Sequence, residues 1–112
     1  MIVDSNLIIL ASKEEHGDVR AWLAAADVAV SAISRVEVLG FPHITPSEQA
    51  KLDAFFATFE IIPIADPVRD EAIRLKQLKK MSLGDSIVAG TAILHGGELA
   101  PATSKIFGTS PA

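Results

Sequence analysis

The sequence contains no cysteine, which excludes disulfide bonds and metal sites built on thiolates. A chain without cysteine fits a reducing compartment, and we expect this one to be cytoplasmic. No apolar run approaches the roughly 18 residues that a membrane-spanning helix needs. Residues 1–4 carry neither the basic segment nor the cleavable apolar segment of a signal peptide. These absences predict a protein that works in the cell interior without a membrane anchor.

Positive charge and aromatic side chains are also scarce. The formal net charge is −4, so the chain lacks the overall basic balance of many nucleic-acid binders, although a local patch could still steer a polyanion. Only 5% of the residues are aromatic, and Phe55, Phe56 and Phe59 fall on one face of a predicted helix. We therefore expect these rings to belong to the core and not to a platform that stacks bases.

The histidines and glycines exclude two further kinds of site. Histidine occurs only at positions 16, 43 and 95, which argues against a zinc site of the usual nitrogen and sulfur type. No G-x-G-x-x-G follows the first apolar segment, where Asp4-Ser5-Asn6 stands instead, so a Rossmann-type nucleotide site is not indicated.

What the chain does contain is an alternation of short apolar segments and amphipathic helices. With 112 residues and 49% apolar content, it predicts a single domain, residues 1–112, of the α/β class with a mainly parallel sheet. The predicted strands cover residues 1–3, 28–30, 60–64 and 98–100. Predicted helices cover residues 7–11, 19–26, 31–39, 46–59, a segment from 66 and a segment from 84 to the glycines at 96 and 97.

Three acids stand where this pattern predicts function. Asp4 directly follows the first strand, Glu37 lies two turns into the helix after the second, and Asp85 opens the helix before the last. In open parallel sheets, functional groups collect at the carboxyl ends of the strands, so these acids are expected to converge. Clustered carboxylates repel one another unless a cation neutralises them, and a hard ion such as Mg²⁺ prefers oxygen ligands.

Each acid also has a purely structural interpretation. Asp4 could serve only as the N-cap of a helix, and Asp85 could be half of a capping box with Ser82. Glu37 could pair with Arg35 or be solvated. The same helix, residues 31–39, is expected to turn Ile33 and Val36 inward.

Three segments in register resemble the sequence blocks of the PIN-domain family. These are Asp-Ser-Asn at 4–6, which is similar to D-[TS]-N, residues 31–37, which are similar to S-x-x-[ST]-x-x-E, and residues 82–89, in which Gly-Asp precedes an apolar helix. Within that family, the chain most resembles the small VapC-type toxins of prokaryotic toxin–antitoxin pairs.

The resemblance implies a three-layer α/β/α fold with a four-stranded sheet, against five strands in the full family. It also implies a Mg²⁺- or Mn²⁺-dependent endoribonuclease in which Asp4, Glu37 and Asp85 are catalytic and hold the metal. Ser5 and Asn6 would support and orient these carboxylates. The expected partners are RNA as substrate, a second copy of the chain in a homodimer, and a cognate antitoxin that plugs the acidic groove.

The chain departs from the family pattern near its end. The family usually has a fourth acid in T-x-N-x-x-D-F, but residues 101–107 place Thr103 where Asn is expected and Ile106 where the acid is expected. An isoleucine cannot coordinate a cation, so weakened activity is one hypothesis. The alternative is a catalytically inactive PIN-like domain that binds an antitoxin or dimerises.

Candidate RNA contacts are Arg35, Lys79 and Lys80, the last two just upstream of the Gly-Asp turn. The alternative for these cations is a solvated basic face that pairs with Asp70 and Glu71.

Overall fold

The computed structural model describes residues 1–95, whose sheet has three parallel strands. The strands are β1 (Ile2–Val3), β2 (Ala29–Ser31) and β3 (Glu60–Ile62), in the order β1-β2-β3. In the ladder, Val3 is the partner of Val30, which is the partner of Ile61 on its other side. The parallel α/β arrangement is therefore confirmed with one strand fewer than predicted. The predicted strand 98–100 and the glycine helix stop at 96 and 97 lie outside the described residues.

Helices connect and cover these strands. In chain order within residues 1–95 they are α1 (Ser5–Ala11), α2 (Gly17–Ala25), α3 (Ala32–Leu39), α4 (Pro46–Phe56), α5 (Asp66–Leu78) and α6 (Leu83–Leu94), with a short 3₁₀ turn at Glu14–His16.

The pleat of the sheet explains why helices pack on both of its faces. Successive strand residues point to opposite faces, and all the residues of β1 and β2 are buried. Val3 and Val30 join one apolar cluster with residues of α1, α2, α3 and α4, among them Phe56. Ile2 and Ala29 join a second cluster, in which Val88 and Ala92 of α6 cover the opposite face. The two clusters make the three layers of an α/β/α domain.

The predicted aromatic core lies under α4. Phe56 is buried, while Phe55 and Phe59 are partly buried against the first cluster. The rings of Phe55 and Phe59 meet edge to face, with centroids 5.1 Å apart. The prediction that these rings belong to the core is confirmed.

Helices α5 and α6 lie unusually close to one another at Gly90. A side-chain carbon at this position would lie 3.2 Å from the backbone nitrogen of Ala72 and 3.2 Å from the backbone oxygen of Val68. The absence of a side chain at Gly90 thus allows the two backbones to approach, and α6 is fixed against α5 along this line.

Side-chain caps set where the site-bearing helices begin. Asp4 caps α1, and Ser82 caps α6. Ser31 is both the last residue of β2 and the N-cap of α3, where its Oγ accepts a hydrogen bond of 3.3 Å from the backbone N–H of Ile33. Because strand and helix share Ser31, no loop separates α3 from the sheet.

The predicted inner face of α3 is wrong at one position. Val36 is 64% exposed, whereas Ser34 and Val38 are buried and Ile33 is only partly buried. The hydrophobic pattern misplaced the face because the helix buries a small polar residue, Ser34, which carries no apolar signal. Val38 is the neighbour of Glu37 that faces inward.

No helix within residues 1–95 is long and apolar enough to cross a membrane.

Candidate functional site

Asp4 marks the end of β1 and the start of α1. Its Oδ1 accepts a hydrogen bond of 3.0 Å from the backbone N–H of Leu7, so the capping role predicted as an alternative is present. The residue is nevertheless exposed, and among residues 1–95 no hydrogen bond or ion pair engages Oδ2. Asp4 can therefore cap the helix with one oxygen and present the other at the sheet edge.

Glu37 reaches from α3 to the first turn of α6. A Cβ placed on Gly84 would overlap Oε2 of Glu37 and would lie 3.0 Å from its Cδ. The carboxylate thus occupies the space that a side chain at Gly84 would fill. The N-terminus of a helix favours a negative charge because unpaired N–H groups and the macrodipole meet there. The Glu37 carboxylate therefore lies at the start of α6 and does not pair with Arg35, which pairs with Asp53.

Asp85 follows Gly84 in the same turn of α6. Ser82 Oγ accepts a hydrogen bond of 3.1 Å from the backbone N–H of Asp85, which forms the first half of the predicted capping box. The Asp85 side chain is exposed. The sequence neighbours Gly84 and Asp85 therefore bring two of the predicted acids, Glu37 and Asp85, to one helix terminus.

The acids nevertheless do not form a closed cluster. Within residues 1–95, no group of three or more histidine, aspartate or glutamate side chains is close enough to hold a metal ion together. The structure brings Glu37 to the turn of Asp85 and leaves Asp4 at the neighbouring strand end. Carboxylate oxygens are the ligands that a hard cation such as Mg²⁺ prefers, and this ion takes one or two of them and completes its shell with water and substrate phosphate.

Ser5 and Asn6 occupy the first turn of α1, directly after Asp4. Asn6 is exposed and Ser5 is half-buried. Within the described chain, no side-chain hydrogen bond joins either residue to Asp4, Glu37 or Asp85. The orienting role that the family resemblance implies for them stays a prediction.

The predicted RNA-binding cations differ in how they are engaged. Arg35 donates a hydrogen bond of 3.1 Å to Asp53 Oδ1, and its guanidinium carbon lies 5.9 Å from the ring centre of Phe56. Its geometry is that of an ion pair on the outer side of the domain. Lys79 and Lys80 are exposed at the turn between α5 and α6.

The alternative pairing of those lysines with Asp70 and Glu71 does not occur. Asp70 accepts from Arg69 and Glu71 accepts from Arg74, so each acid is paired within α5. In the part of the chain that the structure describes, Lys79 and Lys80 form no ion pair and remain available to a substrate.

Sequence reasoning missed two residues of this region. The motif identifies Gly84 only as half of a Gly-Asp pair, although Gly84 makes room for Glu37. Ser34 is fully buried with an unpartnered hydroxyl, and the S-x-x-[ST]-x-x-E spacing was the signal that could have identified it. The replaced fourth acid at Ile106, with Thr103 and Phe107, lies outside the described residues.

A parallel sheet covered by helices on both faces, with Asp4 at the carboxyl end of β1, is the arrangement of α/β domains that act at a strand-edge site. The family model of the PIN domain matches residues 1–107, and the chain belongs to the PIN domain family. Domains of this family are generally nucleases that depend on a divalent metal.

A solved structure supports this placement. The chain is similar to a protein in a structure described as a toxin-antitoxin complex from Klebsiella pneumoniae, with 28% identity and a TM-score of 0.74. The match covers 98% of this chain and 92% of that one. No curated protein shows significant sequence similarity to the chain. Within the PIN domains, the chain is VapC-like.

Proposed function

We propose that the chain is a Mg²⁺- or Mn²⁺-dependent endoribonuclease that acts as the toxin of a cytoplasmic type II toxin–antitoxin pair. The observation that carries the proposal is the meeting of Glu37 with the Gly84–Asp85 turn, beside the strand end that bears Asp4. Family membership and the similarity to a protein of a toxin-antitoxin complex support it.

Asp4, Glu37 and Asp85 would hold the metal in this proposal. Their oxygens match the preference of a hard divalent ion, and all three residues are exposed. When bound, such an ion activates water and stabilises the charge that develops on a phosphodiester. The chain's own contribution is to keep the three carboxylates at fixed places on helix starts and a strand end. Ser5 and Asn6 would keep the Asp4 side oriented.

The substrate side of the site would lie along the turn between α5 and α6. Lys79 and Lys80 supply positive charge there, while Lys76 donates a hydrogen bond of 3.0 Å to the backbone oxygen of Met81 and so braces the turn. Cations of this kind position a phosphate backbone without reading its sequence. Arg35 would reach RNA only by giving up Asp53, so we assign it the weaker contribution.

A cleavage assay with labelled single-stranded RNA tests the proposal. The wild-type chain with Mg²⁺ or Mn²⁺ is compared with Asp85→Asn and with Asp27→Asn, a matched loss of one charge before β2, at the opposite end of the strands. We expect Asp85→Asn to cut at least about 100-fold more slowly, since transition-state charge is then poorly stabilised, and Asp27→Asn to cut at the wild-type rate.

Ile106→Asp extends the assay to the replaced fourth acid. Faster cleavage by Ile106→Asp than by wild type would show that the missing acid limits activity. If wild type, Asp85→Asn and Ile106→Asp cleave RNA equally, and still do so in the presence of a chelator, the proposal that the chain is a metal-dependent ribonuclease is rejected.

A second candidate function is a catalytically inactive domain that binds an antitoxin. This candidate would use an apolar groove of about 350 Å³ between α1, α3 and α4. Its apolar lining includes Ile9, Val38, Phe41, Ile44 and Leu52. Phe41 is 67% exposed, more than the core of a domain needs. The groove suits an apolar segment of an antitoxin, and Lys13 and Lys51, which line it together with Glu48, would pair with acidic side chains of that segment.

Mn²⁺ calorimetry separates the two candidates. A binding domain has no need to retain metal affinity, so heat of Mn²⁺ binding that is lost in Asp85→Asn favours the nuclease. Absence of binding by the wild type favours the inactive domain. The groove can serve a nuclease as well, because an antitoxin must hold the toxin it silences.

A further inference from the structure

Arg35 fastens one flank of α3 to α4 through two contacts. Its guanidinium donates a hydrogen bond of 3.1 Å to Asp53 Oδ1, and its Cζ lies 5.9 Å from the ring centre of the buried Phe56, within the range of a cation–π contact. Asp53 and Phe56 both belong to α4. Within residues 1–95, the other ion pairs lie inside α5, so the pair of Arg35 with Asp53 is the one there that joins two helices.

The opposite flank of α3 faces α6. Ile33 packs against the apolar cluster that contains Val88 of α6. Glu37, four residues later and on the same side of α3, lies against Gly84 at the start of α6. Arg35 is two positions from each of Ile33 and Glu37, and residues two positions apart on an α-helix project about 200° apart around its axis. Arg35 and Glu37 therefore hold α3 on opposite sides.

The two ends of α3 are held differently. Its first turn is fixed by the sheet, because Ser31 is both the last residue of β2 and the N-cap of the helix. Its last turn leads into residues 40–45, which form no strand or helix. The half of α3 that carries Arg35 and Glu37 thus depends on side-chain contacts for its orientation. A rotation that withdraws Arg35 from Asp53 also moves Glu37 relative to the start of α6, because both side chains belong to one rigid helix.

We propose that Arg35 is a positioning residue whose contact with Asp53 sets how closely the Glu37 carboxylate approaches the start of α6, and thereby the metal affinity of the site; the inference rests on the proposed nuclease function. In this role Arg35 touches neither the metal nor RNA and acts through the orientation of α3. Both partners of the pair are partly exposed. A pair of this kind holds enough free energy to change an equilibrium by at most about fivefold, which limits the size of the effect.

The test measures Mn²⁺ affinity of the full chain by calorimetry in the absence of RNA, with thermal unfolding as a check on folding. Arg35→Gln and Asp53→Asn each break the pair, and the double variant Arg35→Asp with Asp53→Arg forms it again with the charges exchanged. Arg69→Gln is the matched control, because it removes an exposed arginine whose ion pairs lie within α5.

We expect Arg35→Gln and Asp53→Asn each to bind Mn²⁺ about three- to fivefold more weakly, with the exchanged pair and Arg69→Gln within about twofold of wild type. The shared direction identifies positioning. If the two side chains acted only through their charge, loss of Arg35 would strengthen the binding of a cation and loss of Asp53 would weaken it. If Arg35 acted only as an RNA contact, neither change would alter Mn²⁺ affinity measured without RNA.

A double-variant cycle with Gly84→Ala connects Arg35 to Glu37. Because Gly84→Ala already displaces the Glu37 carboxylate, adding Arg35→Gln to it should weaken Mn²⁺ binding by no more than about 1.5-fold further. An undiminished loss in that background overturns the role of Arg35. So do opposite changes in the two single variants, or wild-type affinity in both while Asp85→Asn abolishes binding, and these results leave the nuclease proposal standing. Failure of the wild-type chain to bind Mn²⁺ overturns both.

Discussion

At the scale of single residues, Gly84 controls how closely Glu37 approaches Asp85. The carboxylate of Glu37 is the flexible end of a long side chain, so a methyl group at position 84 can displace it without moving backbone. Gly90 presents the opposite case, since its neighbours are backbone atoms of α5. Substitution of Gly84 is therefore expected to affect mainly the site, whereas substitution of Gly90 is expected to affect mainly the stability of the fold.

Gly84→Ala is predicted to weaken Mn²⁺ binding by about tenfold, because it displaces one carboxylate of the site. Its free energy of unfolding should stay within about 0.5 kcal/mol of wild type, since only an exposed side chain has to move. Calorimetry and urea unfolding measure the two quantities.

Gly90→Ala serves as the control for Gly84→Ala. Overpacking against the backbone of Val68 and Ala72 should cost about 1–3 kcal/mol in the free energy of unfolding while metal affinity is retained. Unchanged Mn²⁺ affinity in Gly84→Ala would refute the contribution of the Glu37 position.

At the scale of secondary-structure elements, α4 has the most complete start in the described chain. Thr45 Oγ1 accepts a hydrogen bond of 3.1 Å from the backbone N–H of Glu48, and the backbone N–H of Thr45 donates a hydrogen bond of 3.1 Å to Glu48 Oε1. The pKa of Glu48 is lowered from its ordinary value of 4.5, mainly by the hydrogen bond from the backbone of Thr45 and to a smaller extent by the hydrogen bond from the Thr45 side chain. A carboxylate that is easier to ionise in the folded chain stabilises the fold only when it is charged.

The pH dependence of stability should reveal this box. Because the folded pKa of Glu48 is lowered, its contribution is complete well above pH 4.5 and is lost as the pH falls through that value toward the folded pKa. Glu48→Gln, which cannot titrate, should therefore show a shallower decline of unfolding free energy below about pH 5 than wild type. The measurement is urea unfolding of both proteins at a series of pH values. The same decline of unfolding free energy at low pH in wild type and in Glu48→Gln would contradict the prediction.

The starts of α4 and α6 could be predicted to within one residue because caps are local, whereas α1 and α2 begin two residues before their predicted starts. Asp4, Thr45 and Ser82 occupy the cap positions that their residue types indicate, and Pro46 stands in the first turn. The rotation of α3 could not be predicted, because it depends on burying Ser34 against neighbours that are remote in sequence. β3 also ends at Ile62, two residues before the predicted limit.

The candidate site could be predicted only in part for a related reason. Strand ends and helix starts can be located from sequence, which placed Asp4, Glu37 and Asp85 at their elements. The approach of Glu37 to α6 depends on an absent side chain at Gly84, and absence leaves no hydrophobic or charge pattern to detect. Whether the three carboxylates gather round a metal stays a prediction.

At the scale of the whole molecule, large apolar side chains are exposed in several places among residues 1–95. One is the groove beside Phe41. Another, which we call the α5–α6 surface, consists of large exposed side chains on those two helices: Ile73, Leu78, Leu83, Ile93 and Leu94. Exposed apolar area of this kind is commonly used for binding partners. We propose that the groove binds an antitoxin and that the α5–α6 surface binds a second copy of the chain.

Two variants with opposite expected effects test these assignments. Phe41→Asp should weaken antitoxin binding by about 2 kcal/mol or more, as substitutions do at aromatic residues that become buried when a complex forms. It should not alter self-association. Leu78→Asp should shift the sedimentation equilibrium toward monomer and leave antitoxin affinity intact. The antitoxin has first to be sought as a small reading frame directly upstream of this one, and its product is then co-expressed with the chain. The division of surfaces would be rejected if either variant lost both antitoxin binding and self-association. It would also be rejected if both variants kept both interactions.

The sharing of Ser31 by β2 and α3 limits where this chain can change in length. A residue inserted between Ser31 and Ala32 would rotate α3 by about 100° about its axis, and Glu37 would leave the start of α6. An insertion between α3 and α4, where residues 40–45 form no strand or helix, would leave that relation intact. Length variation among related chains is therefore expected in this loop and not at the strand–helix junction, where a single added codon would remove an acid from the site.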